Sequence, residues 1–394
     1  MNESMNRTVQ EALRLMQTGD LGAATQAIQR GLGAVAAPAG SNAMAAPAHG
    51  EDACLEGEFH GVADMVADTV ADTVAETPRE STQDRARREP RHDDPREDPK
   101  GTFHDHHFSR AAGALDYKLF VPAGLSAASA PLIMMLHGCT QSPDDFARGT
   151  RMNELARTHG YVVAYPAQAQ RNNTNRCWNW FRRGDQQRGH GEPALIAALA
   201  LDLVARHGLD QGRVYVAGLS AGGAMAMVLA RTYPEVFAAI GVHSGLPFGA
   251  AHDLPSAFAA MRQATGQSPA VSSNGRFCPV PAIVFHGDRD STVNPSNGAQ
   301  VVAQCLGEPI PADGGAHATQ VVLEYGSSPG GRTYTRRTYL HPDASVAAEY
   351  WMVHGAGHAW SGGDAAGSYT DSSGPDASEH MLRFFSACAR RVIN

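Results

Sequence analysis

From residue 102 onward the chain alternates short apolar runs with longer stretches of helical periodicity. The runs are YKLFV (117–121), LIMML (132–136), YVVAY (161–165), VYVA (214–217), AAIGV (238–242), AIVF (282–285) and EYWMV (349–353). Each is short and apolar, and most end at Gly, Pro or a Gly-containing turn, which is how strands buried on both faces read. Between them, 146–159, 193–207 and 221–231 carry apolar residues at helical spacing, and a last helix is expected over roughly 378–392. Strands alternating with helices predict an α/β domain whose mostly parallel sheet has helices on both faces. Two stretches break the alternation. Residues 254–274 read as an insertion at the rim of a site, and 320–340 as an antiparallel hairpin turned at 327–331.

The first hundred residues have a different texture. Residues 3–33 predict two short amphipathic helices, with Val9, Leu13 and Met16 on one face, Ala24, Ile28 and Leu32 on another, and a break at Gly19-Asp20. One such unit cannot bury its own core, so residues 1–33 are read as a docking or accessory helical hairpin, with a frayed extension as the alternative. Residues 34–101 begin rich in Ala, Pro and Gly and end in RARREPRHDDPREDPKG. That composition cannot offset the entropy of ordering and predicts a disordered linker. The remaining 102–394 form the main domain.

Composition narrows the function. The 394 residues carry a formal net charge of −8 with no dense basic run, which argues against nucleic acid as a partner. No apolar stretch reaches the ~18 residues that cross a bilayer. No secretory leader is visible, so a cytoplasmic location is expected, with an extracellular one as the alternative. Six cysteines without a CxxC pair do not suggest zinc. His104, His106 and His107 read as a solvated tract, and neither metal nor cofactor is expected.

The strand VYVA runs into Gly218-Leu219-Ser220-Ala221-Gly222, followed by the helix former AMAMVLAR. A G-x-S-x-G pattern between strand and helix fits a sharp turn that lifts a nucleophilic serine above a sheet. The competing reading is an ordinary helix N-cap. A serine needs a base, and the base needs an orienting carboxylate. In an open α/β sheet both should lie past the carboxyl ends of strands. After AIVF comes His286-Gly287-Asp288-Arg289-Asp290, and Asp290, further into the loop, is favoured as the acid. Asp288 is read as tying the turn. After EYWMV comes His354-Gly355-Ala356-Gly357-His358, and His358 is taken as base with His354 as a structural hydrogen-bonder. Developing oxyanion charge needs preset amides. Ala221 supplies one, and the loop His137-Gly138-Cys139 the other, with Cys139 preferred over Thr140. A cysteine nucleophile at 139 is the weaker alternative, since Ser220 fills that role.

Trp178, Trp180 and Trp360 are read as a substrate-binding wall, because the segment NRCWNWF is polar apart from its aromatics. Two disulfide pairings are open, Cys139 with Cys177 and Cys278 with Cys305. Such bridges imply an oxidising compartment, against the absent leader.

Taken together, LHGCTQSPDDFA, YPAQ, NRCWNWF, GLSAGGAMA, HGDRDSTVNP and HGAGHAWSGG resemble the polyhydroxybutyrate depolymerase-type esterases, a group related to the feruloyl and acetyl-xylan esterases of carbohydrate esterase family 1. The resemblance covers roughly 105–390. It implies an α/β-hydrolase fold, a metal-free serine esterase mechanism, and Ser220, Asp290 and His358 at the family's triad positions. The expected substrate is a hydroxyalkanoate polymer or oligomer ester. The rivals are a feruloyl or acetyl-xylan esterase, a peptidase on the same fold, and a non-catalytic granule- or partner-binding protein.

Overall fold

The computed structural model describes residues 101–110, 113–125, 129–263, 280–307 and 320–390. The expected hairpin (1–33) and linker (34–101, but for residue 101), with the docking role given to the hairpin, lie outside the described residues, as does Cys278.

The apolar runs form a ten-stranded sheet in the order β1-β2-β4-β3-β5-β6-β7-β10-β9-β8. Its strands are β1 (Thr102–Arg110), β2 (Gly113–Val121), β3 (Leu132–Leu136), β4 (Val162–Ala167), β5 (Val214–Leu219), β6 (Ala239–His243), β7 (Ala282–Gly287), β8 (Gln320–Ser327), β9 (Thr333–Leu340) and β10 (Val346–Val353). From β4 to β10 every neighbouring pair is parallel, and the flanking pairs on each side are antiparallel. A separate short pair, β11 (Trp360–Ser361) and β12 (Thr370–Asp371), follows.

Strand periodicity of two divides the core. Leu132, Met134, Leu136, Val214, Val216, Val242 and Val284 face one layer, whose helices are α3 (Gly191–His207), α4 (Ala221–Thr232), α5 (Leu254–Arg262) and α6 (Ser296–Leu306). Ile133, Met135, Tyr215, Ala217, Ile283, Phe285 and Trp351 face the other, against α1 (Pro143–Thr150), α2 (Met152–His159) and α7 (Ala377–Ser386). Each fully buried Leu, Ile, Val or Met contributes roughly 1.5–3 kcal/mol by leaving water. Among the described residues, no helix is long and apolar enough to cross a membrane.

Two expectations are corrected and one is extended. The histidine tract is exposed, as expected of a solvated tract, but it is itself a strand: β1 is an edge strand paired to β2 along its length, with His106 stacked on Tyr117 and His107 bonded to Asp116 at 2.6 Å. The single helix expected over 146–159 is two helices, broken at Arg151, whose φ is +54°. Its guanidinium donates to the Asp376 carboxylate and the Gly362 carbonyl. The last helix stops at Ser386.

Candidate active site

Ser220 sits between β5 and α4 with φ +57° and ψ −118°, a conformation costly for a residue with a side chain. The surroundings hold it there: its amide donates to the His243 carbonyl at 2.9 Å, and its carbonyl accepts from Ala224 N. The two glycines of the motif are required by space. A Cβ on Gly222 would stand 2.0 Å from Leu136 O, and one on Gly218 would stand 2.4 Å from the Gly222 carbonyl carbon. The turn is therefore pressed against the end of β3, where the His137 loop begins.

Past the end of β7, the Asp290 carboxylate is fixed from both sides. Its Oδ1 accepts from the amides of Thr292 (2.9 Å) and Val293 (2.8 Å), and its Oδ2 accepts from His358 Nδ1 at 2.7 Å. Burial alone would raise the pKa of this carboxyl. The facing charge and hydrogen bond of His358, helped by His286 and the Val293 amide, outweigh burial and hold the pKa below the ordinary aspartate value. With Nδ1 donating, His358 keeps its lone pair on Nε2, the nitrogen a general base needs. Asp288 does different work. Its Oδ2 lies 3.0 Å from His354 Nδ1 and its Oδ1 accepts from Gly355 N at 2.7 Å, while His354 Nε2 meets Thr335 Oγ1 at 2.8 Å. The base loop lies directly on β7: a Cβ on Gly287 would come 2.3 Å from Ala356 O, and Arg289 N donates to that same oxygen.

Ser220, Asp290 and His358 thus follow the carboxyl ends of β5, β7 and β10, all within the parallel part of one sheet. Between β5 and β7 lies β6, which ends at His243, a residue the sequence reading passed over. Its carbonyl holds Ser220, its Nε2 accepts from Ser361 N at 3.0 Å, and its ring stacks on Phe285 and Trp360. It therefore braces the nucleophile's turn and the segment just after His358 together. Full burial, then the nearby His286 and His358, push its pKa down to about 3, so it stays neutral. A histidine at a strand's carboxyl end was the available signal. His286, also buried, donates from Nε2 to Val293 O at 2.8 Å and lies 3.5 Å from Asp290 Oδ2.

The expected oxyanion loop runs from His137 to Gln141. The Thr140 amide is engaged by Asn175 O at 2.7 Å and the Gln141 amide by Gly138 O. Of these three amides, Cys139 alone has no acceptor among the described residues, which favours it over Thr140 as a donor to substrate. The Ala221 amide opens α4, where helix geometry leaves N–H groups without an intrahelical partner. Cys139 is bonded to Cys177 in a disulfide. Cys305 is a free, buried thiol near Met227 Sδ, and its suggested partner Cys278 lies outside the described residues.

The tryptophan wall is corrected. Trp178, Trp180 and Trp360 are 0%, 5% and 1% exposed. Their indoles turn inward: Trp178 Nε1 donates to His137 O, Trp360 Nε1 donates to Ser378 Oγ, and Trp180 meets Phe181 edge-on. The polar residues around them form the turn. Among the described residues, Leu254 and Phe258, on α5, are exposed large apolar side chains. That helix is tied to the acid loop by Asn294 N donating to Met261 O at 2.8 Å.

Residues 115–322 match the family described as Esterase PHB depolymerase. A Poly(3-hydroxyalkanoate) depolymerase C of Paucimonas lemoignei is 34% identical over 260 residues, 64% of this chain and 60% of that protein. A Probable acetylxylan esterase A of Aspergillus fumigatus is 28% identical over 213 residues, 50% of this chain and 56% of that protein. The chain spans less than two thirds of either relative. Among solved structures, the acetyl xylan esterase from Aspergillus awamori aligns over 73% of this chain and 100% of its own, with a TM-score of 0.56 at 20% identity. That likeness establishes the α/β-hydrolase fold.

Proposed function

The chain belongs to the Esterase PHB depolymerase family, and on that premise we propose that it is a serine hydrolase of carboxylic esters working through an acyl-enzyme on Ser220. The observation that carries the reading is the buried Asp290 carboxylate accepting from His358 Nδ1, with the nucleophile's turn at the end of a strand in the same parallel array. The family match ends before His358, so the assignment of the base rests on that contact.

His358 Nε2 takes the Ser220 hydroxyl proton as Oγ attacks the ester carbonyl. Asp290 holds the ring's tautomer and stabilises its charged form. The carbonyl oxygen becomes an oxyanion between the Cys139 and Ala221 amides. The imidazolium returns its proton to the leaving alcohol as the C–O bond breaks, leaving acyl-serine. Water, deprotonated by the same histidine, then releases the acid and regenerates Ser220.

For the substrate we favour a hydroxyalkanoate polymer or oligomer, the class in the name of the Paucimonas relative, with Leu254 and Phe258 as the apolar surface offered to the acyl chain. The acetylxylan esterase relative supports an acylated sugar as the second reading. Hydrolysis of hydroxybutyrate oligomers beside acetylated and feruloylated sugars, with Ser220→Ala as control, decides between them. Preference for the sugars would overturn the first reading. The Cys139–Cys177 bridge supports an oxidising compartment over the cytoplasm. Thiol alkylation in unbroken cells tests it: quantitative labelling of both cysteines would return the protein to a reducing one.

A further inference from the structure

The Cys139 amide belongs to the peptide unit whose carbonyl is that of Gly138. In a trans peptide the C=O and N–H point in opposite directions, so whatever holds Gly138 O inward aims the Cys139 N–H outward. His137 Nδ1 donates to Gly138 O at 2.8 Å, and the ring is set by Gln168 N donating to its Nε2 at 3.1 Å. Burial pushes the His137 pKa down to about 4, so the ring stays neutral, with one donor and one acceptor nitrogen.

The Gln168 side chain leads deeper. Its Nε2 donates both to Cys177 O (3.0 Å) and to Glu192 Oε1. Its own Oε1 is left buried without a partner among the described residues, so the amide is turned toward the carboxylate at the expense of a hydrogen bond. Glu192, buried in the first turn of α3, also accepts from Asn179 N at 2.7 Å and from Asn179 Nδ2. All three of these groups are donors, which the carboxylate satisfies once it is ionised, above its raised pKa of about 7, and an amide cannot. The same loop is joined to the oxyanion strand by the Cys139–Cys177 disulfide and by Thr140 N donating to Asn175 O.

Resting on the esterase reading above, we propose that Glu192 is a positioning residue of the oxyanion hole, acting through Gln168 on His137 and on the loop bonded to Cys139. It touches no substrate. What it governs is the direction of one amide, and that direction is worth most when the oxyanion forms.

The test is Glu192→Gln in the full chain, with p-nitrophenyl butyrate as substrate and butylboronic acid as a tetrahedral mimic that adds to Ser220. Misaiming one oxyanion donor predicts a fall in kcat of about 10- to 100-fold. KM should stay within about threefold, with the boronate inhibition constant rising in step with the loss of kcat. Gln168→Met, which keeps the carboxylate but cuts its link to Cys177 O, should move kcat and the boronate constant in the same direction, and it serves if Glu192→Gln does not fold. Unchanged kcat and boronate affinity in either folded variant overturns the proposal while leaving the esterase reading intact. A wild-type protein that fails to hydrolyse the ester, or a Ser220→Ala variant that still does, overturns both.

Discussion

His358 Nδ1 donates to Asp290 Oδ2 at 2.7 Å, although the two residues stand 68 positions apart in the chain. Two positions before Asp290, the Asp288 carboxylate makes a second, parallel contact with His354 Nδ1 at 3.0 Å. The Asp290 carboxylate is buried and that of Asp288 is partly exposed. One sequence motif thus feeds a buried acid–base pair and a surface clamp.

The two aspartates should separate cleanly in kinetics. Asp290→Asn removes the acceptor that holds the His358 tautomer and should lower kcat on a p-nitrophenyl ester by about 10³- to 10⁴-fold. Asp288→Asn loosens the clamp on Gly355 and should cost about tenfold at most. Equal losses would mean that the acid has been misassigned.

Gly222→Ala should strike stability and activity together. The added Cβ would overlap Leu136 O at 2.0 Å and crowd His137 O at 2.8 Å, both backbone atoms that cannot swing aside. Overpacking of this kind costs about 3 kcal/mol or more, read as a fall in Tm, and it displaces the oxyanion loop. A variant with wild-type Tm and kcat would show that the turn is looser than described.

Cys177→Ser should act on both counts as well. The bridge closes a loop with a sequence separation of 38, for which chain entropy gives about 4 kcal/mol of stability. If Cys139 carries the oxyanion amide as proposed, kcat should fall by more than KM rises. Denaturant titration and steady-state kinetics measure the two effects separately, and intact kinetics in the variant would dissociate the bridge from catalysis.

Glu192 makes a pH prediction whose sign follows from its environment. Burial, with the Asp185 charge adding to it, raises the Glu192 pKa from 4.5 to about 7 against the hydrogen bonds that favour ionisation. Between those values the folded state holds a proton that the unfolded state has released, so this group's contribution to stability falls as pH rises through the window. The difference in unfolding free energy between wild type and Glu192→Gln should shift by on the order of 3 kcal/mol from pH 4.5 to 7.5, in the variant's favour. A pH-independent difference would contradict the raised pKa.

The central strands were legible because burial on both faces leaves nothing but apolar residues in a run such as LIMML, bounded by Pro131 and Gly138. The elbow, the acid loop and the base loop were legible because each follows such a run. β1 was not, since TFHDHHFSR is an edge strand in which Phe108 alone is fully buried, and its polarity imitates coil. Arg151, at the break, bonds Asp376, 225 residues away, and His243 accepts from Ser361, 118 residues away. Local pattern holds no trace of such partners. The tryptophans misled for a related reason: a polar turn does not say which way its indoles face, and Trp178 and Trp360 each bury an N–H against an interior acceptor. Glu192 reads in sequence as an ordinary first-turn acid of α3, and only packing turns it into a buried hub.

The central claim is that Ser220 becomes covalently acylated by an ester under the control of His358. The most direct measurement is peptide mass spectrometry of the protein quenched during turnover of p-nitrophenyl butyrate. The account predicts a butyryl group on the peptide carrying Ser220, lost in Ser220→Ala and in His358→Ala along with hydrolysis. An adduct on another residue, or full hydrolysis by Ser220→Ala, would contradict it.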